Sequence, residues 1–157
     1  MRRILALVLS LAMIFALVGC GSSEPTTADN KAEKISSFKE EVVVDNEMVT
    51  FKVTGAPKED EIWGQLIDVY LENKTDKTLM YSLENVSVNG YMVNVLFATE
   101  VSGNKKENTS ITIFSDDLDK NKIDKIETIT FTLRVYDAND WEADYIVDNI
   151  EYTVNFN

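Results

Sequence analysis

Thr128-Ile129-Thr130-Phe131-Thr132-Leu133-Arg134-Val135-Tyr136 places Ile129, Phe131, Leu133 and Val135 on one side of an extended chain. The threonines and Arg134 fall on the other side. β-Branched and aromatic residues suit a pleated surface with one face covered, so the stretch predicts a half-buried strand. The same period of two recurs in both directions along the chain. Ile150, Tyr152, Val154 and Phe156 alternate at the C-terminus, and Ile67, Val69 and Leu71 alternate with Asp68 and Tyr70. Val49, Phe51 and Val53 form another set, Ile111 and Ile113 a shorter one, and residues 41–45 supply a first strand. Trp63 opens the strand that holds Ile67 and is expected to pack in the core.

The segments between these runs have turn chemistry. Asn89-Gly90 lies between Val86-Ser87-Val88 and Tyr91-Met92-Val93. This is the strongest short hairpin signal, because a type I′ turn needs positive φ at both central residues. Residues 73–77 read as a polar turn and 101–108 as a longer polar loop. Ser115-Asp116-Asp117-Leu118-Asp119-Lys120 reads as one helical turn, with Ser115 as N-cap and two acids at the positive end of the dipole. About eight short strands without a long helix predict an all-β, antiparallel β-sandwich.

Three segments sharpen that expectation. Residues 69–78, 86–91 and 133–137 resemble the telokin-like immunoglobulin domains of uncharacterised bacterial lipoproteins. The resemblance spans residues 38–157 and implies an immunoglobulin-like fold. It supplies no catalytic residues, and the Cys…Trp…Cys pattern of antibody domains is absent from the sequence.

The N-terminus reads as an address. Arg2-Arg3 precede an apolar run from Ile4 to Val18, broken by Ser10 alone. A basic start followed by such a run is the layout of a secretory signal helix, too short for a permanent span of roughly 20 residues. Leu17-Val18-Gly19-Cys20 resembles the lipobox of bacterial lipoprotein signals, and Cys20 is the one cysteine of the chain. That resemblance implies removal of residues 1–19 as a signal peptide, lipid attachment at Cys20, and a membrane anchor on the extracytoplasmic face. Residues 20–37 then form the lipidated Cys and a flexible, polar tether, and residues 38–157 the domain. Two or three acyl chains hold a protein stably where one does not.

Composition excludes several chemistries. The chain has 157 residues, no histidine and one cysteine, with 15 basic against 27 acidic residues. Imidazole catalysis, an internal disulfide and an iron–sulfur cluster are therefore ruled out. Without Arg2 and Arg3 the mature chain carries a net charge of −14, and Arg134 is its one arginine. Such a domain is repelled by nucleic acid and by anionic headgroups and favours cationic partners in a salt-sensitive way.

The reading that follows is a lipid-anchored, non-enzymatic binding or spacer module at the cell surface. Its partners are the membrane, through the lipid, and an unknown surface protein or glycan. The alternative is a calcium- or glycan-binding module built on two acidic loops. Asp116, Asp117 and Asp119 lie in residues 116–121; Asp137, Asp140 and Asp144 lie in residues 137–144. Calcium takes six to eight oxygen ligands, which carboxylates at alternate loop positions can supply, although neither loop keeps the EF-hand spacing. Trp141, set among acids, could stack on a sugar or anchor a partner. A small hydrolase using paired carboxylates ranks last, because a chain this acidic brings some pair to working distance by chance. Lys74, Lys77, Lys105, Lys106 and Lys125 flank strands and are expected to guard sheet edges.

Overall fold

The computed structural model describes residues 38–140 and 142–157. Cys20, the tether and Trp141 lie outside the described residues, as does the signal segment. The described chain holds one short helix, α1 (Ser115–Asn121), and eleven strands in two antiparallel sheets. The first sheet runs β1 (Glu41–Asp45), β2 (Val49–Val53), β4 (Gly64–Asn73), β9 (Lys106–Phe114) and β7 (Val95–Leu96). Strand β3 (Lys58–Asp60) pairs with the start of β4, beyond the stretch that β2 occupies. The second sheet runs β11 (Val147–Asn155), β10 (Thr128–Asp137), β5 (Leu79–Val88) and β6 (Tyr91–Met92), with β8 (Ala98–Val101) also on β5.

The order β2-β4-β9-β7 against β11-β10-β5 is the ABED/GFC arrangement of constant-type immunoglobulin domains, with β1 added outside the A position. The alternation seen in sequence closes the sandwich. Ile129, Phe131, Leu133 and Val135 face Val49, Phe51, Val53, Ile67, Val69, Leu71, Ile111 and Ile113, all but wholly buried. Where antibody domains place a tryptophan on strand C, β5 places Tyr81, fully buried, whose hydroxyl donates to the Glu72 carbonyl at 2.8 Å. Burial pushes the Tyr81 phenol well above its ordinary range. Phe38 packs on Phe156 with ring centroids 5.1 Å apart, so the chain enters the domain beside its C-terminus.

The sandwich has two ends, and they are built differently. At one end lie the β1–β2, β4–β5, β8–β9 and β10–β11 turns. Asn73, expected in a solvated turn, is 1% exposed and organises that end. Its amide donates to the carbonyls of Lys77 (2.7 Å) and Val101 (2.8 Å) and its oxygen accepts from the Thr75 N–H (2.9 Å) and hydroxyl (2.8 Å). Gly103 is required there because a Cβ would lie 2.5 Å from the Asp76 carbonyl oxygen.

The other end carries the β3–β4 and β5–β6 hairpins, α1 and the C-terminus. Asn89-Gly90 forms the expected turn, with φ of 49° and 84°. Asn89 also reaches across the fold: it donates to the Lys125 carbonyl (2.8 Å) and accepts from the Glu127 (2.9 Å) and Thr128 (3.0 Å) N–H groups. The helical turn forms, but Ser115 is its first helical residue instead of its cap. Phe114 holds the cap position in an extended conformation and makes no side-chain cap bond. Lys122 closes the helix in the left-handed region (φ 55°), and Ile123 N–H donates to the Leu118 carbonyl at 2.9 Å.

Strands β3, β7 and β8 raise the count above the eight expected. Each is four residues or shorter, too short for alternation to register. The polar loop shrinks to residues 102–105, since β9 begins at Lys106 and has nine residues.

Candidate interaction surface

The acidic loops of the sequence separate when placed in space. Asp116, Asp117 and Asp119 all sit on α1. Adjacent helical positions point about 100° apart, so these carboxylates fan outward instead of converging. Asp117 is committed: its carboxylate accepts from the Asn94 backbone N–H (2.8 Å) and side-chain amide (2.9 Å). Those bonds hold its pKa below the ordinary carboxylate value, the backbone bond most strongly.

Asp137 ends β10 at the opposite end of the sandwich, 2.9 Å from Lys77 Nζ, and also accepts from Asn139 N–H at 3.0 Å. The Lys77 bond lowers its pKa foremost. Asp140 accepts from the Glu142 N–H at 3.3 Å, while Asp144 is exposed in the β10–β11 loop. The two clusters thus lie at opposite ends. Among the described residues no group of three or more acids, cysteines or histidines could hold a metal ion. Trp141, the candidate for stacking on a sugar or anchoring a partner, lies outside the described residues.

The outer face of the first sheet spends its charges internally. A depression of about 380 Å³ is lined by Glu40, Asp45, Lys52, Tyr70, Glu72 and Lys74, among others. Lys74 Nζ meets Asp45 at 2.6 Å, Lys52 meets Glu40 at 2.9 Å and Lys106 meets Glu72 at 3.3 Å. Asp45 is pulled below its ordinary pKa, chiefly by the Lys74 bond, and Lys52 is raised chiefly by Glu40. For Asp68 burial is the largest influence and pushes the pKa up, but the bonds from Lys58 (2.7 Å) and Ser110 (2.7 Å) together outweigh it and leave the value lowered. Lys74, Lys77 and Lys106, expected as edge guards, are therefore ion-pair partners.

The second sheet likewise consumes Arg134. Its guanidinium meets Glu84 at 2.6 Å and Asp148 at 3.3 Å and lies 5.1 Å from the centroid of the Tyr145 ring. Tyr145 meets Tyr136 edge-on at 5.5 Å.

The remaining end differs. Between the β3–β4 hairpin and α1 run two adjoining hollows of about 240 and 310 Å³ that share Glu59, Gln65, Leu118, Ile123 and Asp124. The larger is lined by the carboxylate residues Glu59, Asp60, Glu61, Asp119 and Asp124 around Leu118 and Ile123, with no lysine or arginine in its lining. Lys125 lines the smaller hollow.

Above the groove stands the hairpin tip. Ile62 is 79% exposed and Trp63 52% exposed, so the expectation of a core Trp63 is corrected. The cause is local. Asp60 Oδ1 accepts from the N–H groups of Ile62 (3.0 Å) and Trp63 (2.9 Å), making a three-residue turn. Gly64 then reverses the chain at φ 120°, where a Cβ would lie 2.5 Å from the Ile113 carbonyl oxygen. Trp63 thus belongs to the turn and not to the strand. The Asp60-to-Gly64 spacing was the signal in the sequence that could have placed it there. The tip is anchored as well, because Ser115 N–H donates to the Trp63 carbonyl at 3.2 Å.

No family model, curated protein or solved structure matches this chain. Among the described residues no helix is long and apolar enough to cross a membrane.

Proposed function

We propose that this chain is a bacterial lipoprotein of the telokin-like kind: a non-enzymatic interaction module held outside the cytoplasmic membrane by lipid on Cys20. The observation that carries the reading is the order Arg2-Arg3, apolar run, Leu17-Val18-Gly19-Cys20, followed by a polar tether. The immunoglobulin-like strand order agrees with such a module, although a fold of this kind hosts many functions. The absence of histidine and the use of the lone cysteine for lipid favour binding over catalysis. A net charge of −14 on the mature chain keeps the domain off anionic headgroups and available to partners.

The test is expression of the full chain in a bacterium with labelled palmitate. The parent chain is expected to take up label and to partition into the detergent phase. Cys20→Ser is expected to do neither. Label retained on Cys20→Ser would sink the reading.

A further inference from the structure

We infer that the groove between the β3–β4 hairpin and α1, with its Ile62–Trp63 tip, docks an extended partner segment that alternates basic and apolar side chains. The inference rests on the interaction-module reading and names its surface and its partner chemistry.

Charge complementarity selects the occupant. On other faces Lys58, Lys74, Lys77, Lys106 and Arg134 pair with Asp68, Asp45, Asp137, Glu72 and Glu84, each within 3.3 Å. Glu59, Glu61, Asp119 and Asp124 face one hollow and have no ion-pair partner among the described residues. Four like charges around one hollow raise one another's energy, and a cation entering it relieves all of them.

The apolar elements set the rest of the chemistry. Leu118 and Ile123 form a floor that a methylene stem or an aliphatic side chain can cover. Ile62 and Trp63 offer a large apolar area, and exposed tryptophan is the residue type most enriched among binding hot spots. Two Asp60 bonds and the Ser115 bond hold the tip in place without a partner. Little conformational freedom is then left to lose on docking.

A nucleic acid or an anionic membrane meets the same carboxylates with repulsion. A neutral glycan leaves them without partners. A second copy of this chain would bring more negative charge to the groove. A basic–apolar polypeptide segment satisfies both halves of the surface.

The test is a titration of the full chain, in non-ionic detergent, with a labelled short peptide of alternating lysine and leucine. Its serine-for-leucine counterpart carries the same charge. The expected result is saturable binding that weakens with salt and is roughly tenfold weaker for the serine peptide. The double variant Ile62→Ser/Trp63→Ser should lose about tenfold, the scale of a hot-spot pair. Glu59→Gln/Asp119→Asn/Asp124→Asn should lose several-fold. Glu47→Gln/Glu107→Gln/Asp144→Asn, which removes three exposed acids at the other end, should lose almost nothing.

Equal losses from the two triple variants would reduce the effect to bulk charge and overturn the inference. So would unchanged binding by the tip variant. Self-association of the parent chain that the tip variant abolishes, with no peptide binding, would assign the surface to a second copy instead. The tip variants remove exposed side chains, so their melting temperature serves as the folding control. Palmitate labelling at Cys20 does not depend on the groove, so failure of either reading leaves the other standing.

Discussion

The two ends of the sandwich use the same residue types for opposite purposes. At the Asn73 end several polar side chains are spent on the chain itself. Asn73 makes four hydrogen bonds, and Lys74, Lys77 and Lys106 close on Asp45, Asp137 and Glu72. At the hairpin–helix end carboxylates line the larger hollow with no lysine or arginine among them, and isoleucine and tryptophan stand in water. Four turns must be packed side by side at the first end, and their backbone groups need partners. The second end is already closed by backbone bonds and by Asn89, which frees its side chains for another molecule.

Substitutions should separate the ends. Gly64→Ala is expected to cost most, about 4 kcal/mol. It combines positive-φ strain with a Cβ driven into the Ile113 carbonyl. Urea unfolding checks it, and a loss under about 1 kcal/mol would mean the tip is not rigidly held. Asn73→Ala should cost about 3 kcal/mol, because it leaves the Lys77 and Val101 carbonyls without their bonds. The Ile62→Ser/Trp63→Ser chain should melt within about 2 °C of the parent. If the tip variant fell further than Asn73→Ala, the division of labour between the ends would collapse.

Tyr81→Phe should cost about 1 kcal/mol, the worth of one buried hydroxyl bond.

Acid and base probe the paired charges. Asp45, Asp68, Asp117 and Asp137 have folded pKa values lowered from 3.8. Their contribution is present above that value and is lost as pH falls through the folded values. Lys52, Lys77 and Lys106 are raised from 10.5, Lys52 chiefly by Glu40, Lys77 by Asp137 and Lys106 by the Tyr70 hydroxyl. Their contribution is full below 10.5 and is lost as pH rises through the folded values. Thermal stability should therefore be nearly flat from about pH 5 to about pH 9 and fall on both sides. A steep slope near pH 7 would contradict this assignment.

The smallest expected effect is calcium. Millimolar calcium against chelator should move the melting temperature by less than about 1 °C, whereas binding a hundredfold above Kd would add about 2.7 kcal/mol. A shift of several degrees would make the acidic loops a site.

Strands β2, β4, β10 and β11 were legible in the sequence because sustained alternation has one physical reading, whereas only the ends of β5 and β9 showed it. Asn89-Gly90 was legible for the same reason, since positive φ at two successive residues selects those side chains. The short strands and the helix cap were not. A pair such as Val95-Leu96 is a strand only because β9 lies beside it. Trp63 was misplaced because its neighbours suggested a strand, whereas the Asp60 bonds made it a turn residue. The groove escaped notice because Glu59 and Asp119 are 60 positions apart in sequence and share a hollow only after folding.

The sequence by itself determined the sandwich, most of its long strands and the lead hairpin turn, because each rests on local periodicity or a contiguous motif. Tertiary structure alone decided which acids found cations, which polar residue was buried, and which aromatic faced water. Those outcomes depend on distances between residues far apart in the chain, and local sequence holds no measure of such distances.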